Sequence, residues 1–365
     1  MIVFVVSFIS PHTLPIGIEL AKDEKVVFIN TIKLTDERKR MGYKIEDSAV
    51  EILEYDACPQ RCNHLINEAN VVIFACAKLE LLTERINSGK LVFLLHERIF
   101  KKGFIKWLDI RTHRLAKFCR KVRRKNVYLL SIGDYAAKDF SHLGFNKTKI
   151  YRFGYFPRVE EVAGSKLIGA PKSIRIIWVG RMVDVKRPLM ALKAYKRLPN
   201  TFSLCMVGDG ALFGKVRKYV IKNRLQVSFL GHVTNDTVRR EMLNSDILLS
   251  TSGRGEGWGA VINEGMNNGC AIVCSKDIGC AYTLADENTA VLYDTHSIKS
   301  LRAALLEAAE RRVELGKKAL QKIQDEYNCE EAARRLNLLI RNIGDEDILF
   351  ESGICSLVYP QDKTK

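Results

Sequence analysis

Residues 174–188 read Ile-Arg-Ile-Ile-Trp-Val-Gly-Arg-Met-Val-Asp-Val-Lys-Arg-Pro, and they decide the fold of the second half of the chain. The first six are nearly all apolar, which is typical of a strand buried on both faces of a parallel sheet. Gly180 would let a ligand approach the strand end, and Arg181 and Lys186 could hold a diphosphate without a divalent metal. The simpler interpretation is that both cations are solvated charges at a helix start.

The same alternation of apolar runs and amphipathic stretches extends through both halves. Strands separated by helices of ten residues or more predict parallel sheets covered on both faces, the doubly wound α/β class. The predicted strands are Ile2–Phe8, Val26–Ile29, Val71–Ala75, Leu91–Leu95, Val127–Leu130, Ile174–Val179, Ser203–Val207, Val227–Leu230, Asp246–Ser250 and Ala271–Cys274. The predicted helices lie near 59–69, 78–88, 104–124, 133–143, 186–197, 211–223, 234–243 and 261–268, with further helices after 297.

A stretch rich in proline and glycine interrupts this rhythm and predicts a linker. We therefore expect one domain over 1–155, a linker over 156–173, and a second domain over 174–328. A C-terminal helix and tail would occupy 329–365, with a return to the first domain as one option. The last twenty residues show no clear order.

Composition restricts the classes of protein to be considered. The longest apolar runs, such as Val71–Ala77, fall far short of the roughly 18 residues needed to span a membrane. The apolar start has no basic residue before it, as a signal peptide would. Ten cysteines lack the spacing of zinc or redox motifs, so we expect core residues in a reducing compartment. These features predict a cytoplasmic protein.

A second glycine-rich stretch, Gly255-Glu-Gly-Trp-Gly-Ala-Val-Ile-Asn-Glu-Gly265, follows the predicted strand Asp246–Ser250. Its glycines free the loop to curl round a ligand, and a helix beginning near Ala260 presents N–H groups to phosphate. Glu264, one turn into that helix, can accept both hydroxyls of a ribose, while Glu256 would reach towards a sugar. The simpler interpretation is a glycine turn with a carboxylate favoured by the helix dipole.

Together these motifs resemble those of the family 4 GT-B glycosyltransferases, the group 1 glycosyltransferases, known for retaining transfer from nucleotide sugars. The resemblance is close over about residues 174–295 and covers the first half only in outline. It implies two Rossmann-like domains facing across a cleft, with the acceptor side in the first and the donor site in the second. The motifs are Val-Gly180-Arg181 with Lys186, Met206-Val-Gly-Asp-Gly210, Phe229-Leu-Gly-His232, Asp246-Ile-Leu-Leu-Ser, the Glu256/Glu264 pair and Gly269-Cys-Ala-Ile-Val.

The resemblance also implies roles for individual residues. Glu256 would be a catalytic residue beside the donor sugar, Glu264 would hold the ribose, and His232 belongs to a stretch that would flank the base. The implied donor-binding residues are Gly180, Arg181, Lys186, His232, Gly259, Ala260, Val261 and Glu264. Gly265 departs from the family's usual alanine without removing a charged group.

In the first half the resemblance points to two residues. Gly17, in a loop that begins a helix after the first strand, fits the family's glycine facing the reacting phosphate and the acceptor. His96 ends a predicted strand, where some members place a histidine against the donor sugar, so it is a second catalytic candidate. A structural role for this histidine is the alternative interpretation.

A front-face mechanism, in which the leaving diphosphate accepts the acceptor's proton, is favoured over a carboxylate nucleophile, because no carboxylate in the first half stands out at a strand end. We expect no cofactor and no metal. Asp345-Glu-Asp347 matches the metal motif of the other glycosyltransferase fold, but it follows a late helix and is interpreted as a solvated acidic cluster.

The net charge of +16 is concentrated in the first half, where 98–125 holds twelve Lys or Arg residues. A basic amphipathic helix over 104–122 either packs on the core with solvated charges or docks on an anionic cytoplasmic leaflet. Nucleic acid is not expected, since no binding motif accompanies the charge.

The leading hypothesis is transfer from a UDP- or GDP-sugar to a saccharide or lipid-linked saccharide in cell-surface polysaccharide synthesis. The alternatives are a sugar-nucleotide epimerase or phosphorylase of the same fold, and a non-catalytic nucleotide-sugar binding protein.

Overall fold

Apolar segments of the sequence form two parallel sheets, each covered by helices, in the computed structural model. The structure describes residues 1–33, 49–101, 103, 109–159, 173–343 and 349–360. The chain divides into two units: Met1–Arg158 together with Asn328–Lys365, and Val159–Tyr327. Across the described ranges, no helix has both the length and the apolar character needed to cross a membrane.

The first unit contains a seven-stranded sheet in the order β3-β2-β1-β4-β5-β6-β7. Its strands are β1 Ile2–Val6, β2 Val26–Asn30, β3 Glu51–Glu54, β4 Val71–Ala75, β5 Leu91–His96, β6 Val127–Ile132 and β7 Ile150–Phe153. Every residue of β1 and β2 is buried, as expected of strands covered on both faces. The strand order reverses between β1 and β4, which makes the carboxyl ends of these two strands the switch point of the sheet.

Helices of the first unit include one from the far end of the chain. They are Leu14–Leu20, Pro59–Glu68, Thr83–Asn87, Ile110–Lys121, Asp134–His142 and Cys329–Arg341. Cys329–Arg341 packs against Leu14–Leu20. The N-cap of Ile110–Lys121 is Asp109, whose side chain accepts a hydrogen bond from the Arg111 amide at 2.9 Å.

The second unit contains a six-stranded parallel sheet in the order β10-β9-β8-β11-β12-β13. Its strands are β8 Ile174–Val179, β9 Phe202–Val207, β10 Val227–Gly231, β11 Ile247–Ser250, β12 Ala271–Ser275 and β13 Ala290–Tyr293. Its helices are Pro188–Tyr195, Phe213–Lys222, Asn235–Leu243, Val261–Asn267, Ile298–Glu310 and Arg312–Asp325. Here the order reverses between β8 and β11. The prediction of two doubly wound Rossmann-like halves is therefore confirmed.

Three strands were not predicted, namely β3, β7 and β13. All three lie at sheet edges and are only four residues long, so their apolar signal is weak. All ten cysteines are reduced thiols and nine of them are buried, in agreement with their interpretation as core residues.

The expectation of a disordered tail was wrong for part of it. The Arg152 amide of β7 donates to the Ser356 carbonyl at 2.8 Å, and the Cys355 amide donates back to Arg152 at the same distance. Leu357 forms an antiparallel bridge with Tyr151. The segment therefore covers the edge of the first sheet, because β7 has backbone groups left to pair.

Gly265, one of the departures from the family pattern, has a packing explanation. It lies in the helix Val261–Asn267, and a Cβ added there would come 2.3 Å from Leu248 Cδ2 and 3.1 Å from Ile272 Cδ1. The helix therefore lies closer to β11 and β12 than an alanine would allow. Gly214, in the helix Phe213–Lys222, has no atom within 4 Å of the same added position.

These two glycines predict opposite effects of one substitution. Gly265→Ala should lower the free energy of unfolding by about 1–3 kcal/mol through overpacking, whereas Gly214→Ala should leave it unchanged or raise it by up to about 1 kcal/mol. Urea unfolding followed by tryptophan fluorescence measures both, because Trp178 and Trp258 are buried in this unit. Equal destabilisation by both substitutions would contradict the packing explanation.

Candidate active site

The two glycine-containing motifs of the second half meet at one edge of the second sheet. β8 pairs with β11 in parallel, so the residues that follow each strand emerge side by side. Gly180 to Lys186 follow β8, and Thr251 to Gly259 follow β11. This edge is the switch point, where open α/β sheets bind ligands.

A chain of hydrogen bonds joins the two loops. The indole Nε1 of Trp178 donates to Thr251 Oγ1 at 2.8 Å, and Thr251 Oγ1 donates to the backbone O of Lys186 at 2.6 Å. Trp178 and Thr251 are almost completely buried. The backbone at Lys186 is thereby fixed relative to the loop after β11. This pair was not predicted from the sequence, because neither residue carries a local signal of its role.

Lys186 and Glu256, predicted separately from the two motifs, form an ion pair through Nζ and Oε2. Ser252 donates its hydroxyl to the same carboxylate oxygen at 3.1 Å. Both charged side chains are about four-fifths buried, so the pair lies in a medium less polar than bulk water. An ammonium has three protons, and one contact with Glu256 leaves donor capacity for phosphate oxygens.

Glu264 lies one helical turn after this loop. Burial raises the pKa of its carboxyl from the ordinary 4.5 to about 7, although the positive charge of Lys186 acts in the opposite direction. The influence of Lys186 shows that the predicted diphosphate-binding cation and the predicted ribose-binding carboxylate share one electrostatic environment.

Close backbone packing explains several of the glycines. A Cβ on Gly208, whose φ is +115°, would lie 2.2 Å from the Gly180 carbonyl oxygen, and one on Gly279 would lie 1.7 Å from that of Gly257. The loop after β12 thus rests directly on the loop that carries Glu256. Any side chain at Gly279 would separate these loops.

Other predicted donor-binding residues lie along the same edge. Arg181 follows Gly180 and is exposed. His232 is exposed and follows β10 after Gly231, whose φ is +64°. Gly259 and Ala260 directly precede the helix that Val261 begins. Their ligand contacts stay predictions.

In the first unit, four side chains meet near the carboxyl ends of β1 and β5. The rings of His12 and Tyr155 stack with centroids 5.2 Å apart. Tyr155 donates its hydroxyl to Glu97 Oε1 at 2.7 Å, and Lys101 Nζ donates to Glu97 Oε2 at 2.5 Å. Burial alone would raise the pKa of Glu97, but Lys101 and the two hydrogen bonds outweigh it and lower that pKa.

His96 ends β5, and its Nδ1 lies 3.0 Å from the backbone O of Glu97. Its ring packs on Phe140 at 5.2 Å, and burial lowers the pKa of the imidazole. The ring lines a cavity of about 710 Å³ within the first unit. Its predicted catalytic role stays a prediction.

Gly17 is buried inside the helix Leu14–Leu20. A Cβ there would lie 2.3 Å from the ring of Phe28. Close packing against β2 therefore explains this glycine without a ligand, and its predicted contact with phosphate or acceptor stays a prediction.

No group of three or more His, Cys, Asp or Glu side chains that could hold a metal ion occurs in the part of the chain that the structure describes. The acidic cluster at 345–347 lies outside the described residues, as does most of the predicted linker.

Comparison with known proteins agrees with the site. Residues 165–336 match the model of the family described as "Glycosyl transferases group 1". The chain carries a group 1 glycosyltransferase domain. An uncharacterized glycosyltransferase of Methanocaldococcus jannaschii is 29% identical over 132 residues, which are 36% of this chain and 37% of that relative. The match thus spans little more than a third of the curated relative.

Solved structures show the same fold over nearly the whole chain. HepE of Anabaena, solved in complex with UDP, has a TM-score of 0.74 at 14% identity, over 94% of this chain and 100% of HepE. WaaG, a glycosyltransferase involved in lipopolysaccharide biosynthesis, has a TM-score of 0.62 at 18% identity, over 91% of this chain and 98% of WaaG. The resemblance predicted from the glycosyltransferase motifs and the GT-B fold class are confirmed.

The raised pKa of Glu264 makes stability depend on pH. Because the folded protein holds this proton to about pH 7 and the unfolded chain releases it near 4.5, stability should fall as pH rises between these values, by up to roughly 3 kcal/mol. Glu264→Gln should remove this loss. Urea unfolding at pH 5 and pH 8 measures the difference. Identical pH dependence in both proteins would show that Glu264 is ionised with an ordinary pKa.

Proposed function

We propose that the glycosyltransferase domain moves a sugar from a UDP- or GDP-sugar to a saccharide or lipid-linked saccharide, with retention of configuration. The observation that carries the proposal is the Lys186–Glu256 ion pair beside Glu264 at the switch point of the second sheet. The cation that would bind the diphosphate is paired with the carboxylate that would contact the donor sugar, and its charge acts on the carboxylate that would bind the ribose. HepE, which has this fold, was solved with UDP and with UDP-glucose.

The proposed chemistry depends on stabilising the leaving diphosphate. As the bond from the sugar to the phosphate breaks, negative charge grows on the phosphate oxygens, where Lys186 and Arg181 would neutralise it. The leaving phosphate would accept the proton of the attacking hydroxyl on the same face of the sugar. Glu256, held by Lys186 and Ser252, would orient the donor sugar. We propose that these residues need no metal ion.

We also propose that this sugar transfer belongs to cell-surface polysaccharide synthesis. The role of WaaG in lipopolysaccharide biosynthesis supports this by analogy only. Peripheral contact with an anionic membrane on the cytoplasmic face would bring the enzyme to a lipid-linked acceptor. The helix Ile110–Lys121 supports this contact, since all its Lys and Arg residues are exposed while Thr112, Ala116 and Cys119 face the core. Because Thr112, Ala116 and Cys119 pack on the core, contact with the membrane would depend on the exposed Lys and Arg residues of the helix.

Release of nucleoside diphosphate from UDP- and GDP-sugars, with saccharide and lipid-linked acceptors, tests sugar transfer. Lys186→Met should lower kcat/KM by about 10²–10³ because a cation at the leaving group is lost. Lys193→Met, an exposed lysine in Pro188–Tyr195, should leave it unchanged. Activity should survive EDTA. Strict loss in EDTA with recovery in manganese would overturn the metal-free mechanism, and no release with any acceptor would favour a binding protein.

Calorimetry with UDP and GDP tests the ribose assignment. Glu264→Ala should weaken binding of the better nucleotide by about 10–100-fold, since hydrogen bonds to a charged group are worth about 1.5–3 kcal/mol. A 2′,3′-dideoxy nucleotide has no ribose hydroxyls for Glu264 to contact. It should therefore bind the wild type and the variant with the same affinity. If the substitution weakened the binding of both nucleotides equally, Glu264 would have a structural role and no contact with the ribose.

A further inference from the structure

The cavity beside His96 has the composition of a site for an amphiphile. Its volume of about 710 Å³ lies within the roughly 300–1,000 Å³ of small-molecule sites. Its floor is apolar and comes from the sheet and the helix Asp134–His142, through Phe74, Leu94 and Phe140. One wall is the helix Ile110–Lys121, which contributes the half-buried Leu115 and Phe118. An apolar space of this size, open to solvent, suits a hydrocarbon chain.

The rim of the cavity is charged, in contrast to its apolar floor. Five of its lining residues are cationic and one, Glu80, is anionic. The cations are Lys78, Arg111, Arg114, Lys117 and Lys121. Four of them are exposed to solvent, and Lys78 is half-buried. Arg111 also pairs with Asp109 at 2.8 Å, so Arg114, Lys117 and Lys121 are the exposed rim cations for which no ion pair is described. This distribution of charge fits a phosphate at the mouth of an apolar space.

A third observation comes from Thr112, in the first turn of the same helix. Its side chain lines the cavity and is 2% exposed, yet its Oγ1 has no hydrogen-bond partner among the described residues. A buried hydroxyl without a partner costs free energy that a ligand oxygen would recover. Arg111 and Arg114 lie within two residues of Thr112 in sequence, so two of the rim cations belong to the same turn.

We propose that this cavity binds a lipid phosphate, with the phosphate at Thr112, Arg111 and Arg114 and the chain along Leu115 and Phe118. As the site of a lipid-linked acceptor it rests on the proposed sugar transfer. As a binding site it is independent of transfer, because every lining residue belongs to the first unit and the donor motifs belong to the second.

Calorimetry on the full chain without a sugar donor tests the proposal, using octyl and decyl phosphate below their micelle concentrations. Each additional buried CH₂ should lower Kd about fourfold, since about 0.8 kcal/mol per CH₂ corresponds to that factor. Decyl phosphate should therefore bind roughly fifteenfold more tightly than octyl phosphate. Decyl maltoside, which has the same chain and a neutral head, should bind at least tenfold more weakly than decyl phosphate.

Two pairs of substitutions with the same change of charge locate the binding. Arg114→Gln with Lys117→Gln removes two rim cations and should weaken decyl phosphate about tenfold. Arg120→Gln with Arg123→Gln removes two exposed cations that do not line the cavity, and should leave Kd within twofold. Leu115→Trp, which fills the space, should abolish the dependence on chain length. Thermal unfolding of each variant verifies the fold.

The remaining outcomes overturn the proposal. Inorganic phosphate binding as tightly as decyl phosphate would show a surface anion site without a chain pocket. Equal weakening by the two paired variants would show binding to the general positive field of the helix. Decyl maltoside binding as tightly as decyl phosphate would remove the phosphate from the proposal. Failure of sugar transfer, with chain-dependent binding intact, would overturn the proposed function and leave this site standing.

Discussion

The hydrogen bonds from Trp178 to Thr251 and from Thr251 to the Lys186 backbone are the constraint on which the proposed donor site depends. The two strands that end at the switch point run in the same direction, but nothing in the strands themselves sets the distance between the loops that follow them. A buried hydroxyl that both accepts and donates fixes this distance. Every charged residue of the proposed donor site stands on one of these two loops or on the helix that follows the second.

Charge in the site is organised around this fixed backbone. Lys186 pairs with Glu256 while it also acts on Glu264. A cation that is partly buried beside a carboxylate costs less to desolvate than an isolated one, since the neighbouring negative charge of Glu256 compensates it. The site can therefore hold a positive charge at the sheet edge before any phosphate arrives, and reorganisation on binding is correspondingly small.

Whether a feature could be predicted from the sequence depends on how far apart in the chain its residues lie. Gly180, Lys186, Glu256 and Glu264 were predicted because apolar strands, glycine loops and charges are visible within a few residues. The pairing of Trp178 with Thr251 spans 73 positions and left no local trace. The edge strands β3 and β7 were missed because each has only four residues. Arg98 was counted with the basic stretch, yet it is buried and lies over the Tyr135 ring at 4.3 Å.

The closing segment of the chain has a consequence for the order of folding. The first unit is built from both ends of the sequence, since Cys329–Arg341 packs on Leu14–Leu20 and residues 355–358 pair with β7. Contacts of such high sequence separation form late and at high entropic cost. During synthesis the second sheet has all its strands before the first unit is complete. The edge of β7 therefore stays unpaired until residues 355–358 have been synthesised, and an unpaired edge strand can meanwhile pair with another chain.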